Sequence, residues 1–208
     1  MATAQPDSRQ AGAGPARDGR SVRAERTHNA VVEALLELLD EGRVRPTVGE
    51  IAERARVSER SVFQHFPDRE ALLEAVARKQ YERVVRKVSP VDASLSRAER
   101  VERFAAQRCG IFEQVKGVRS AAVLMEAESD VVAGWLTSVR RSGAAEVERV
   151  FRRELESTPP DDRQALRAAL VAACTWGAFE SLRIHQGLSA ARTRSAMRVA
   201  IGRLVGEG

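Results

Sequence analysis

The chain has only two cysteines, three histidines and one tyrosine, and aromatic residues make up 4% of it. Two cysteines cannot staple a fold, so a disulfide scaffold is excluded. His28, His65 and His185 are dispersed and have no ligand-spaced companions, so no metal site is proposed. Cys109 and Cys174 have no histidine nearby in sequence and read as small apolar core residues, not nucleophiles. Phosphate-binding glycine loops, dinucleotide fingerprints and nucleophile elbows are missing, which leaves no cofactor and no enzyme activity to propose. Long hydrophobic runs are missing too. The longest, Ala168 to Phe179, is too short to span a bilayer. No basic start followed by an apolar stretch marks a signal peptide, and a cytoplasmic protein without a membrane partner is expected.

What is present is an ordinary apolar share of 43% and a charged share of 30% over 208 residues, with a net charge of +5. That composition folds, and the length suits one or two modest domains. A basic balance suggests nucleic acid, but its location matters. Residues 23–80 carry 10 basic and 11 acidic side chains, whereas residues 81–208 carry 21 and 16. The surplus lies in the C-terminal part.

Residues 1–21 are rich in Ala, Gly, Pro and Arg without apolar periodicity and read as a disordered tail. Its Arg9, Arg17 and Arg20 are of the kind that reach a DNA minor groove, although a solvated tail is the plainer expectation. Beyond it every signal is helical. Val31, Ala34, Leu35 and Leu38 recur at three- and four-residue steps, which predicts a helix over 22–41 stopped by Gly42. Thr47 and Glu50 form a capping box opening a short helix to about 54. Ser58 caps a second short helix to about 64, and Asp68 a longer one to about 88. Ser96 and Glu99 open a helix to about 115, followed by helices over about 118–127, 130–156 and 161–186 and a last one capped by Ser189. No strand or hairpin pattern and no internal repeat appears. The expectation is an all-α fold of about nine helices. It has a disordered tail (1–21), a head with its connecting helix (22–88) and a C-terminal body (94–208).

The informative stretch is Thr47 to Leu73, TVGEIAERARVSERSVFQHFPDREALL. It reads as two short helices joined by the turn Ala55-Arg56-Val57, with Ile51, Ala52, Ala55, Val57, Val62 and Phe66 locking them together. Helices this short persist only when packed, so their exposed face is held rigidly. That face carries Ser58, Glu59, Arg60, Ser61, Gln64 and His65, a set that suits entry into a major groove.

On Thr47, Ile51-Ala52, Ala55, Val57-Ser58, Val62-Phe63, His65-Phe66 and Asp68 to Leu73, the chain resembles the TetR family of bacterial transcriptional regulators. The resemblance implies a helix-turn-helix head. Thr47 would cap the first short helix against a phosphate, Glu59, Arg60 and Ser61 would meet base edges, and His65 and Arg69 would meet phosphate. The residues alone agree: Arg60 can donate two bonds to a guanine edge, while Arg69 and His65 suit backbone positioning. Arg56 stands where the turn usually has glycine and can itself contact phosphate. Phe63 replaces the usual tyrosine and loses its hydroxyl, and Gly49 has no side chain where some members reach a base.

The resemblance further implies a homodimer, which a two-fold operator requires, and a small-molecule effector. The segment 161–186 is apolar around most of its circumference, as expected of a helix buried on more than one side. With the last helix and their symmetry mates it would build a four-helix interface. Helices over 96–156 would then enclose a cavity. Candidate ligand-binding residues are Phe104, Phe112, Met125, Trp135, Trp176 and Phe179, with Arg108, Glu113, Gln114 or Arg119 supplying polarity. The expected function is a ligand-responsive repressor binding a double-stranded DNA operator. The alternatives are a ligand-binding helical dimer that no longer reads DNA specifically, and a small helical enzyme.

Overall fold

The computed structural model describes residues 19–206. The expected tail over 1–18 lies outside the described residues, while residues 19–21 belong to the first helix. The chain is all-α. Its helices are α1 (Gly19–Asp40), α2 (Val48–Ala55), α3 (Glu59–His65), α4 (Arg69–Val85), α5 (Arg97–Met125), α6 (Asp130–Val150), α7 (Arg152–Ser157), α8 (Pro160–Ala173), α9 (Trp176–Glu180) and α10 (Ala190–Leu204). A π-turn, Ser181–His185, extends α9.

The head consists of α1, α2, α3 and the start of α4. Val31, Leu35 and Leu38 of α1 bury Ile51 and Ala52 of α2 and Val62 and Phe66 at the end of α3 in one aliphatic cluster. Each short helix is begun by a side chain that accepts an orphan amide: Thr47 from Glu50, Ser58 from Ser61 and Asp68 from Ala71.

One expected break is missing. Helices ending near 115 and restarting at 118 are a single helix, α5. Gly117 does not interrupt it. A Cβ there would lie 2.4 Å from the Leu39 carbonyl oxygen and 2.5 Å from the Asp40 Cα. Glycine therefore lets the end of α1 rest directly on the α5 backbone, and the neighbouring Val118 and Ala121 complete the head's core.

Two expected long helices are divided instead. The segment 130–156 breaks at Phe151 into α6 and α7, and 161–186 breaks at Cys174-Thr175 into α8, α9 and the π-turn. An arginine of α5 stands at each break. The Arg100 Nη1 donates to the Val150 carbonyl at 2.6 Å. The Arg108 Nε and Nη2 donate to the Cys174 carbonyl at 3.3 and 3.1 Å. These bonds satisfy carbonyls that a continuing helix would have used. Thr175 then caps α9 by accepting from the Ala178 amide.

In the body, α5 packs along α10 and against α6 and α9, and α8 packs on α6, α9 and α10, around Val101, Phe104, Phe112, Phe151, Leu170, Phe179, Met197 and Ile201. A buried ion pair anchors it, with Arg100 donating to both Glu154 carboxylate oxygens at 2.8 and 2.6 Å. Burial opposes the Glu154 charge, but the Arg100 guanidinium outweighs it and holds the carboxyl below its usual range. Leu170 is fully buried, but Ala165, Ala168 and Ala172 of α8 face outward.

Candidate functional site

The turn between α2 and α3 closes at Arg56 in the left-handed conformation. Arg56 has φ 56° and ψ 43°, the one non-glycine residue with positive φ among those described. Its amide donates to the Glu53 carbonyl at 3.1 Å and the Val57 amide to the Ala52 carbonyl at 3.0 Å, a Schellman closure. An L-residue costs about 1 kcal/mol there relative to glycine.

Glu59, Arg60, Phe63 and Gln64 of α3 are exposed on its outer side, while Val62 and Phe66 turn inward. The two serines are engaged with each other. Ser58 caps the Ser61 amide, and their hydroxyls lie 2.9 Å apart. Glu59 leans back over α2, since a Cβ on Gly49 would meet its Oε1 at 3.1 Å. His65 is half-buried and faces α1, edge-on to His28 with ring centroids 6.4 Å apart. Burial, then the neighbouring His65 and Arg78, lower the pKa of His28. The Thr47 hydroxyl is held in the capping box with Glu50.

The cations around this face differ in freedom. Arg43 pairs with Glu50, and Arg45 pairs with Glu128 at 2.5 Å. Arg56, Arg60 and Arg69 are exposed, with no ion-pair partner among the described residues. Several acids on and just after α1 are paired: Glu37 and Glu41 with Arg54, and Glu33 with Lys79 and Arg83. Phe63, 57% exposed, is the residue that sequence reasoning undervalued. Read only as a tyrosine lacking its hydroxyl, it is an apolar surface of the kind that meets a thymine methyl.

A cavity of about 540 Å³ opens in the body between α4, α5, α6 and α9. Phe112, Trp135 and Trp176 line it, as do Arg108 and Arg119. Phe104, Met125 and Phe179 do not. Phe104 stacks edge-on against Phe151 at 5.4 Å, Phe179 packs in the core behind Phe112 and Trp176, and Met125 packs with Leu73 and Leu136. Glu113 is held by Arg183 at 2.6 Å, and Gln114 is exposed. Residues that the sequence did not single out complete the wall, among them Gln80, Tyr81 and Val84 of α4. No local pattern marks them, because the cavity exists only once α4 packs against the body.

The cavity wall is electrostatically uneven. Arg119 is 7% exposed, lies over the Trp135 ring at 5.7 Å, and has its Nε buried without a partner. Burial, then the nearby Arg140, pull its pKa down to about 10. Arg108 sits over Phe112 at 4.8 Å and is likewise lowered by burial. Burial pushes the Cys174 thiol up to about 12, so it is un-ionised at neutral pH.

Helix α4 touches both regions. Arg69 begins it beside α3, and Gln80, Tyr81 and Val84 line the cavity about 16–23 Å along the same helix. Head and body also meet near the α5–α6 turn and the end of α1 through the Arg45–Glu128 pair, the Ser129 hydroxyl donating to Glu70 at 2.6 Å, and Gly117 under α1.

Residues 31–76 match the family model described as bacterial regulatory proteins, tetR family. A crystal structure of a transcriptional regulator from Rhodococcus sp. Rha1 is similar in fold, with a TM-score of 0.66 at 16% identity over 88% of this chain and 95% of that one. No curated protein matches the chain. The head is a helix-turn-helix of the tetR type, joined to an all-helical body whose fold resembles that of the Rhodococcus protein. The match to the tetR family lies in the head and leaves the body outside it. Among the described residues no helix is long and apolar enough to cross a membrane.

Proposed function

We propose that the protein is a ligand-responsive repressor. It binds a palindromic operator as a homodimer through residues 47–69 and leaves it when a small molecule occupies the body cavity. The observation that carries this reading is α4, one continuous helix with Arg69 at the recognition face and Gln80, Tyr81 and Val84 at the cavity. A ligand that binds the two head spacings with different affinity shifts the population between them.

In this reading 22–88 is the DNA-binding unit and 94–208 the ligand-binding and dimerisation unit. Arg60 reads a guanine edge and Phe63 a thymine methyl. Arg56, His65, Arg69 and the amides at the start of α4 meet phosphates, and Thr47 brings the start of α2 to another. Dimerisation through α8 and α10 is supported by their outward small and apolar residues: Ala165, Ala168 and Ala172 on α8, and Val199 on α10. Exposed Ile184 lies in the π-turn between them.

The test is footprinting of the full chain on the DNA upstream of its own gene, with and without small molecules. Two protected half-sites about one helical turn apart are expected, released by a compound that fills the cavity. Uniform, sequence-independent binding would refute operator recognition and favour the ligand-binding dimer. Unchanged protection with the cavity filled would refute ligand release.

A further inference from the structure

The cavity wall offers hydrogen-bond donors and positive charge far in excess of what the protein uses. Three buried donors have no partner, the Arg119 Nε and the indole nitrogens of Trp135 and Trp176, against one unpartnered acceptor, the Gln80 Oε1. The wall carries Arg108, Arg119 and Arg140 against a single acid, Glu180. Arg140 is neutralised by Glu126 at 2.7 Å, and Arg108 is occupied by the Cys174 carbonyl. Arg119 forms no ion pair among the described residues, with Glu180 or any other acid.

A buried cation and buried donors without partners are costly, and in a cavity of this size a ligand can supply what is missing. The remaining wall is apolar: Phe112, Val115, Val123 and the two indole faces. We infer that the effector is a hydrophobic organic anion, a carboxylate on an apolar body. Its charge is received by Arg119, and a hydroxyl or amide on the ligand donates to Gln80. Cationic drugs are excluded by the charge of the wall, since a cation would face the unneutralised Arg119.

This inference rests on the cavity being the effector site, and its test is separable from that reading. Both tryptophans of the chain lie on the wall, so intrinsic fluorescence reports occupancy of the full-length protein directly. The probes are 4-phenylbutanoate, 4-phenylbutanamide and 4-phenylbutylamine, which share one body and differ in charge, titrated at neutral pH by tryptophan fluorescence and calorimetry. The carboxylate is expected to bind at least about tenfold more tightly than the amide, and the amine more weakly than both. Arg119→Gln is expected to abolish the preference of acid over amide while leaving amide binding in place. Equal affinity for acid and amide, tighter binding of the amine, or no binding of the carboxylate would overturn the assignment. These comparisons on the unaltered chain stand even if the variant fails to fold. Ligand release falls on a different measurement, an operator footprint unchanged by a carboxylate that has filled the cavity.

Discussion

The head and the body hold their helices together by opposite means. The head's buried cluster is wholly apolar, from Val31 to Val76, and its ion pairs stay at the surface. Surface pairs contribute little, so the fixed geometry of two helices of eight and seven residues comes from aliphatic packing and capping. From α4 onward the chain buries Gln80, Arg100, Arg119, Ser129, Glu154 and Thr193. Two of these are arginines on the same helix with opposite circumstances. Arg100 has a carboxylate and two carbonyls, and Arg119 has an aromatic face and an unpartnered nitrogen. A satisfied buried charge fixes a fold, whereas the unsatisfied one beside the cavity is the group that the proposed effector would complete.

The contrast can be broken most forcefully at Arg100. Arg100→Ala leaves the buried Glu154 with only the long contact from Arg97 at 3.4 Å and is expected to cost about 3–5 kcal/mol in urea or thermal unfolding. The same pair sets an acid limb. Because the folded carboxyl of Glu154 is held below its unfolded value, its contribution is fully present above the unfolded pKa. It is lost as pH falls through the folded one. Glu154→Gln is expected to flatten the decline in stability below about pH 4.5, measured by denaturation across pH.

At the joint between the two regions, Gly117→Ala places a methyl on the Leu39 carbonyl and is expected to destabilise by about 1–3 kcal/mol. It should also weaken operator binding, because α1 must lift from α5. A normal melting curve with normal DNA affinity would show that head and body are not rigidly coupled there.

On the head alone, two arginines should differ in kind. Arg60→Ala is expected to relax selection at one base position per half-site, at about 1–3 kcal/mol per contact, read by site selection. Arg69→Ala should weaken all sequences alike and reduce the salt slope by about one phosphate per subunit, read by titration at several salt concentrations. A uniform loss for Arg60→Ala would remove its base-reading role. The smallest effect is expected from Arg56→Gly. Relief of the left-handed turn stabilises the head by about 1 kcal/mol, while the lost cation lowers DNA affinity. Unchanged affinity would mean that Arg56 touches no phosphate.

Much of the head was legible because its signals are local. The capping box of Thr47 and Glu50 and the caps at Ser58 and Asp68 each depend on residues a few positions apart. The engagement of Ser61 with Ser58, the lean of Glu59 over Gly49 and the facing of His65 toward His28 were not legible, since each depends on rotamers set by neighbours. In the body the aromatic residues gave part of the cavity. Phe112, Trp135 and Trp176 line it, but Phe104, Met125 and Phe179 have the same character and pack elsewhere. Hydrophobicity says that a side chain is buried, not what it is buried against.

By itself, the scarcity of cysteine and histidine, the helical periodicity and the ordered residues 47–73 determined an all-α chain with a helix-turn-helix head. They left no metal or nucleophile constellation to argue from. Tertiary structure alone decided where the long helices of the body stop, because the groups at those stops are the Arg100 and Arg108 side chains arriving from α5. It also decided that Gly117 permits a crossing and does not end a helix, and that α4 runs from beside α3 to a cavity lined by Arg119, whose Nε has no partner. Periodicity and caps act within a turn or two of chain. Donors, close approaches and cavities are made by residues far apart in sequence, and exist only when the helices have met.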